Sequence, residues 1–252
     1  MKTIMTQIPT STLSSSLRIS MKDRVSKNEV SDFKNKWCDE NQIIADIISN
    51  DLSDFFVPPV LDVGAGLGDI AYNALPHKKV ICIDVNNVTE EDYPLADKHE
   101  RLQIDFFDYR PTQKINTVFI SHTLQFLDED VEKLNDKLKK IDPQNVILVV
   151  NKNDDFMGKL VDWSKNHYEN PNPEVSVAGF PEGYGLDHTK EFKATLFCDS
   201  FERLAEQISY LMLIDFVGPT KSKLIAFLKS HLPKPEFTFN QEFKIYQKDE
   251  ER

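Results

Sequence analysis

Apolar and polar positions along this chain change period several times, and each change marks an element. Phe33, Trp37, Ile44, Ile47, Ile48, Leu52 and Phe55 fall at helical spacing, which predicts an amphipathic helix before the first strand. Val57-Pro58-Pro59 ends it, because proline cannot continue a helical hydrogen-bond ladder. Short, nearly continuous apolar runs follow at about 60–63, 80–84, 101–104, 117–120 and 145–150. Such runs predict strands covered on both faces. Helical patterns lie between them at about 68–75, 128–140 and 154–167. Strands alternating with helices predict an α/β chain: a parallel sheet with helices on both faces. Glu90 to Glu100 shows no clear period and reads as largely irregular.

The second half is patterned differently. Asn170-Pro171-Asn172-Pro173 punctuates the chain, and Gly179, Gly183 and Gly185 cluster within Ala178 to His188, which predicts a mobile loop. Lys190 to Cys198 alternates weakly, like a strand. Phe201, Leu204, Ile208, Leu211 and Leu213 predict a helix, and Leu224, Phe227 and Leu228 a further one. Phe237-Thr238-Phe239 and Phe243-Lys244-Ile245-Tyr246 predict a terminal β segment. The expected organisation is one domain over 31–252, with cap insertions around 170–190 and 200–232, preceded by a flexible or lid-forming segment over 1–30.

The densest signal is Val60-Leu61-Asp62-Val63-Gly64-Ala65-Gly66-Leu67-Gly68-Asp69, which holds three of the eight glycines of the chain. A strand running through glycines into a helix turns its backbone N–H groups toward the crevice beyond the strand's carboxyl end. A dinucleotide fingerprint would need a third glycine where Asp69 stands. A carboxylate there opposes a pyrophosphate but tolerates a cofactor without phosphates. The bland reading is a tight strand–helix connection, which rarely needs three glycines.

Asp62, Gly64, Gly66 and Gly68 match, position by position, the acidic-x-Gly-x-Gly-x-Gly motif of the class I S-adenosylmethionine-dependent methyltransferases, which this sequence resembles. Lys79 to Val85 resembles the second strand of that family, Arg101 to Asp108 its third motif, and Asn116 to Leu127 its fourth strand and the turn after it. The resemblance implies a Rossmann-like seven-stranded, mostly parallel sheet with an antiparallel last strand and helical cap elements in the C-terminal half. It implies that Asp62, Gly64, Ala65, Gly66 and Gly68 form the cofactor turn, and that Asp84, with Val85 beside it, accepts the ribose hydroxyls. It places Asp105, or as the second reading Asp108, at the adenine amino group with Phe106 beside the ring, and Ser121 and His122 beside the methionine part. The Ser121–Phe126 turn and the Asn153–Gly158 run are loosely similar to histamine-type N-methyltransferases.

Composition narrows the partners. A net charge of −11 disfavours nucleic acid and anionic membranes, which need clustered Lys and Arg, and attracts a cationic acceptor such as an amine. Three widely separated cysteines, Cys38, Cys82 and Cys198, form no disulfide framework or metal-type pair and suit a reduced cytoplasmic protein.

Methyl transfer from a sulfonium needs alignment and exclusion of water more than acid–base chemistry. His122 either takes a proton from the acceptor or packs beside the cofactor without doing so. Trp37, with Phe33, forms an aromatic wall for a cation or the buried face of the first helix. Gln125 lines the pocket. Tyr184 and His188 close over substrate or belong to an exposed loop. Catechol-type relatives hold magnesium between acids after strands four and five; here Ser121-His122 follows strand four. No metal is therefore expected, and Asp154 or Asp155 reads as a helix N-cap.

The function expected from these residues is transfer of a methyl group from S-adenosyl-L-methionine to a nitrogen or oxygen of a small molecule, releasing S-adenosyl-L-homocysteine. Two rival readings use the same loop: a protein that binds the cofactor without transferring the methyl, and an NAD-dependent oxidoreductase.

Overall fold

A computed structural model describes residues 36–86, 96–124, 127, 131–167, 180–212 and 219–249. Seven strands form one sheet: β1 Val60–Val63, β2 Val80–Asp84, β3 His99–Gln103, β4 Thr117–Ser121, β5 Asn145–Asn151, β6 Tyr184–Phe197 and β7 Glu236–Lys248. Their order is β3-β2-β1-β4-β5-β7-β6. The first five run parallel, and β7 is antiparallel to both β5 and β6. Strand β6 therefore points the same way as β1 to β5, and β7 alone is reversed.

Alternate side chains of each strand enter opposite layers, as a pleat requires. On one face Val60, Val80, Phe119, Ile147, Phe243 and Ile245 pack under the first helical stretch and under helix α2, Asp69–Ala74. That first stretch is helix α1, Glu40–Ile47, continued by a wide turn to Leu52 and a tight one to Phe55. On the other face Leu61, Ile81, Ile83, Val118, Val146 and Leu148 meet Leu134, Leu138 and Ile141 of helix α3, Val131–Ile141. Covered on both sides, β1, β2, β4 and β5 carry the continuous apolar runs read in the sequence.

A third cluster builds the C-terminal half. Helices α4 (Phe156–Lys165), α5 (Phe201–Met212) and α6 (Pro219–His231) bury Met157, Leu160, Leu204, Ile208, Leu224 and Leu228 against Ala194, Leu196, Phe237 and Phe239. These last four belong to the part of the β6–β7 hairpin that rises past Asn151, the end of β5, which pairs with Gln241. The chain before α1 joins the same place: Cys38 bridges Leu196, and Asp39 accepts a hydrogen bond from the Thr195 N–H at 2.6 Å.

One expected loop is a strand. Gly183 turns the chain at φ +81°, and from Tyr184 onward the segment read as mobile is the first part of β6. Residues Gly185 to Thr189 are exposed at the sheet's edge, so they show no alternation, and the glycines imitate a loop. The strand read at 101–104 begins earlier, at His99, within a stretch read as irregular. Residues 1–30, Phe33 and 168–179 lie outside the described residues, as do the expectations placed on them. Among the described residues no helix is long and apolar enough to cross a membrane.

Candidate functional site

The site lies along the carboxyl edge of the sheet, where the glycine turn leaves β1. The turn is stitched to the end of β2: Gly64 and Ala65 N–H donate to the Ile83 carbonyl at 2.8 and 3.1 Å, and Gly66 N–H to the Asp84 carboxylate at 2.9 Å. Gly64 has φ +68°, and a Cβ there would come 2.3 Å from Thr123 Cγ2, so no larger residue fits. Thr123 seals the turn against β4, its hydroxyl donating to the Ser121 carbonyl at 2.9 Å. Gly68, at φ +79°, leaves room for Arg101, whose Nη2 would stand 3.1 Å from a Cβ. Arg101 donates to the Leu67 carbonyl and so carries the turn from below.

Asp62 belongs to that support. It pairs in register with Cys82, which pairs with Arg101, a row on one face of β1, β2 and β3. Burial first, then the charge of Asp62, pushes the Cys82 thiol up, while Arg101 pulls it down. Asp62 is itself buried. It lies within the sheet beneath the turn and does not line the open crevice.

Asp84 stands at the end of β2. One carboxylate oxygen accepts from Gly66 and the other from the Asn86 backbone and side chain, at 2.8 and 3.0 Å. Val85 beside it is exposed. Asp105, just past β3, is exposed, and its Oδ1 accepts from the Phe107 N–H at 2.8 Å, an Asx turn that fixes the carboxylate. Phe106 sends its ring into the core with Lys137 Nζ 5.5 Å from the ring centre. The neighbouring Phe107 is only half-buried. Phe106, expected beside a cofactor ring, is thus the more buried of the two rings.

Past β4 the backbone is strained. His122 has φ +51°, rare for a residue with a side chain, and its N–H donates to the Val149 carbonyl at 3.2 Å. The strain aims the ring at α1: Nε2 lies 3.2 Å from Glu40 Oε1. The contact is close enough for charge but does not form a hydrogen bond, and Nε2 is buried without a hydrogen-bond partner among the described residues. Glu40 also accepts from the Gln241 amide, which donates to Asn151 at 3.1 Å as well. Gln241 is fully buried, and its Oε1 has no partner among the described residues. Next to Glu40, Asn41 donates to Asp69 Oδ2 at 2.6 Å, while Asp69 Oδ1 is buried without a donor among the described residues.

The structure thus brings Asp84, the glycine turn, Ser121 and His122 to one edge, and joins to them Glu40, Asn41, Asp69, Thr123, Asn151 and Gln241. The sequence reading did not assign a role at the site to Glu40, Asn41, Thr123 or Gln241. One of them had left a signal. Along β7, Phe237, Phe239, Phe243 and Ile245 point to the core, and Gln241 interrupts that alternation with an amide.

The expected substrate residues fare unevenly. Trp37 is half-buried near the raised hairpin, with Lys36 Nζ 4.7 Å from its ring centre. Tyr184 and His188 are at the opposite end of the sheet. Tyr184 pairs with Lys248, next to Gln247, the partner of Asn145 at the start of β5, and its hydroxyl donates to the Pro143 carbonyl at 2.9 Å. His188 stacks on Phe55. Neither reaches the crevice, a correction that follows from their place on β6. Gln125 lies outside the described residues. Asp155 caps α4, accepting from the Met157 N–H at 2.8 Å, and among the described residues no group of three His, Cys, Asp or Glu could hold a metal ion.

No protein-family model and no curated protein matches the chain. Solved structures do. The N-methyltransferase NodS from Bradyrhizobium japonicum WM9, in complex with S-adenosyl-L-homocysteine, superposes with TM-score 0.51 at 11% identity, over 93% of this chain and 99% of that one. A cyclopropane-fatty-acyl-phospholipid synthase-like protein from Lactobacillus casei gives 0.52 at 11%, over 92% and 99%. A functionally unknown protein from Deinococcus radiodurans R1 gives 0.55 at 11%, over 91% and 100%. At such identities the likeness is one of fold: this chain has the Rossmann-like fold of class I methyltransferases.

Proposed function

We propose that the protein is an S-adenosylmethionine-dependent methyltransferase acting on a nitrogen or oxygen of a small molecule, an amine in preference. The observation that carries the reading is the distribution of carboxylates along the edge. Asp84 faces the glycine turn from β2, Asp69 begins the helix behind it, and Glu40 reaches His122 past β4. Such an edge repels a pyrophosphate and suits a ligand whose charge is positive. Polar atoms of Asp69, His122 and Gln241 that are buried without partners among the described residues support an edge built for something polar to arrive.

Asp84 accepts the ribose hydroxyls, which need two acceptor sites on one rigid group. Asp105, held by its own turn, takes the adenine amino group, and Ser121 with the turn backbone flanks the amino-acid part. The bound cofactor supplies a methyl carbon already activated by its sulfonium. Glu40 holds the cationic acceptor, its carboxylate fixed in place by Gln241. An ammonium has no lone pair, so it must lose a proton before it can attack. His122 accepts that proton, and Glu40 at 3.2 Å stabilises the resulting imidazolium. Trp37 bounds the acceptor side.

Calorimetric titration with S-adenosyl-L-homocysteine and with NADH tests the cofactor. Binding of the first and not the second is expected, and the reverse would sink the proposal. Labelled methyl transfer onto amine and hydroxyl libraries then tests the acceptor. Binding without transfer to any member would leave a cofactor-binding protein in place of an enzyme.

A further inference from the structure

Strand β6 ends the sheet, with β7 on one side only. Its other side is covered at one end and bare along the rest. At the covered end the Thr195 N–H donates to the Asp39 carboxylate at 2.6 Å, and the Asp39 N–H to the Thr195 carbonyl at 3.3 Å. Both backbone groups of Thr195 therefore point away from β7. By the alternation of an antiparallel ladder, those of Thr189, Glu191 and Lys193 point the same way, and no described residue pairs with them. The register slips between Leu186 and His188, a bulge that ends the regular run at Asp187. An unpaired edge is a template for another strand, and here the open run is 187–193.

The charges along that run decide which strand fits. Lys190 is paired with Asp51 at 3.1 Å, and Glu191 with Lys152 at 2.6 Å. Asp187 and Lys193 are exposed, and neither has an ion-pair partner among the described residues. They are opposite in sign and lie at equal distances along the chain on either side of Lys190. An antiparallel strand of the same sequence, related by a two-fold axis at Lys190, sets each Asp187 opposite the Lys193 of the other copy. The same register sets Thr189 opposite Glu191, and both turn N–H and C=O outward, so backbone hydrogen bonds close across the axis. Lys190 then meets its own copy, each ammonium neutralised by its own Asp51. An axis at Thr189 would set Asp187 against Glu191. An axis at Glu191 would set that acid against itself and Asp187 against Thr195, which is already covered.

We infer that the β6 edge is an interface for a second copy of this chain, joined antiparallel about Lys190 into one continuous sheet. A two-fold contact needs each copy to carry both members of every pair, which Asp187 and Lys193 do. Exposed ion pairs add little strength, so these two supply register while the backbone bonds supply attachment. Such a joint forms whether or not the protein transfers methyl groups.

Sedimentation velocity of the full chain, from micromolar to millimolar concentration, tests the joint. A monomer–dimer equilibrium that weakens with added salt is expected, and a monomer throughout would overturn the inference. Asp187→Lys and Lys193→Asp should each weaken association about tenfold, since each sets like charges opposite at two symmetric places. The double variant exchanges the charges and should return to within about threefold of wild type. Single variants that associate like wild type, or a double variant that fails to recover, would overturn the assignment. Thr189→Pro removes an outward N–H and leaves the β7 ladder intact, so it should abolish the dimer with little change in melting temperature. A dimer that survives it would place the interface elsewhere and overturn the inference. Finally, the Thr189, Glu191 and Lys193 amides should resist hydrogen exchange in concentrated solution and exchange quickly on dilution. Protection that persists on dilution would show the chain covering its own edge, which also overturns it.

Discussion

The two halves of the site are assembled in opposite ways. The cofactor half comes from a short stretch of chain: the glycine turn after β1, the start of α2 and the end of β2 supply Gly64 to Gly68, Asp69 and Asp84 within 60–84. The acceptor half gathers Glu40, His122, Asn151 and Gln241 from α1, the β4 turn, β5 and β7, pairs up to 201 residues apart. In the first half three hydrogen bonds, from Gly64 and Ala65 to the Ile83 carbonyl and from Gly66 to Asp84, fix geometry that the local sequence already implies. In the second, position depends on the register of β5 against β7 and on where α1 crosses the sheet. Changes on the first side should therefore alter cofactor binding, and changes on the second should alter turnover of the acceptor.

The largest effect is expected from Gly64→Ala. It combines a left-handed backbone with a clash against Thr123, for a destabilisation of roughly 2–4 kcal/mol, read as a fall in melting temperature together with weaker cofactor binding. Adding Thr123→Gly should restore part of the stability, since it removes the clash and leaves the strain. Full recovery would mean that φ at this position is of little consequence.

Glu40→Leu should come next. It leaves the Gln241 amide short of an acceptor and removes the charge facing His122, at a cost of about 2–3 kcal/mol in kcat/KM for an amine. Affinity for S-adenosyl-L-homocysteine should stay within a factor of two. A matching loss of cofactor affinity would dissolve the separation between the halves. Asp84→Ala is the mirror test, weakening S-adenosyl-L-homocysteine by about 1–3 kcal/mol with the fold intact, and unchanged affinity would remove its ribose role.

Gln241→Leu sharpens the contrast further. It completes the apolar alternation of β7, so melting temperature should hold or rise, whereas acceptor turnover should fall about tenfold, about 1.4 kcal/mol. Loss of stability would make Gln241 a structural residue.

The smallest effect concerns the wall below Asp105. Lys137 is buried, donating to the carbonyls of Tyr109 and, at 3.2 Å, Phe107. Burial foremost, then Arg110 and Lys140, lowers its pKa to about 8, with Asp108 and Asp105 opposing. The folded state thus holds this proton less tightly than the unfolded chain, which favours folding progressively more as pH rises from about 8 toward the ordinary lysine value of 10.5. Melting temperature against pH should show that contribution in wild type and lose it in Lys137→Met.

Much of this was readable in advance, for identifiable reasons. The runs at 60–63, 80–84, 117–120 and 145–150 are legible because strands covered on both faces are largely apolar. The glycine turn is legible because φ above zero and close approach both select glycine, so geometry leaves a mark on composition. The start of β6 escaped, since an edge strand exposed on both sides has no period and Gly185 mimics a loop. Tyr184 and His188 were drawn into the site by residue type and taken out by strand direction.

The order of hydrophobic and polar residues by itself determined the alternation of strands and helices, the turn and the acid that faces it, because each follows from contacts between chain neighbours. Only the tertiary structure decided that Glu40, Asn41 and Gln241 belong to the same edge as His122, and that Asn41 meets Asp69. Those facts depend on the relative placement of α1, β4 and β7, a matter of packing across the sheet that no local pattern encodes.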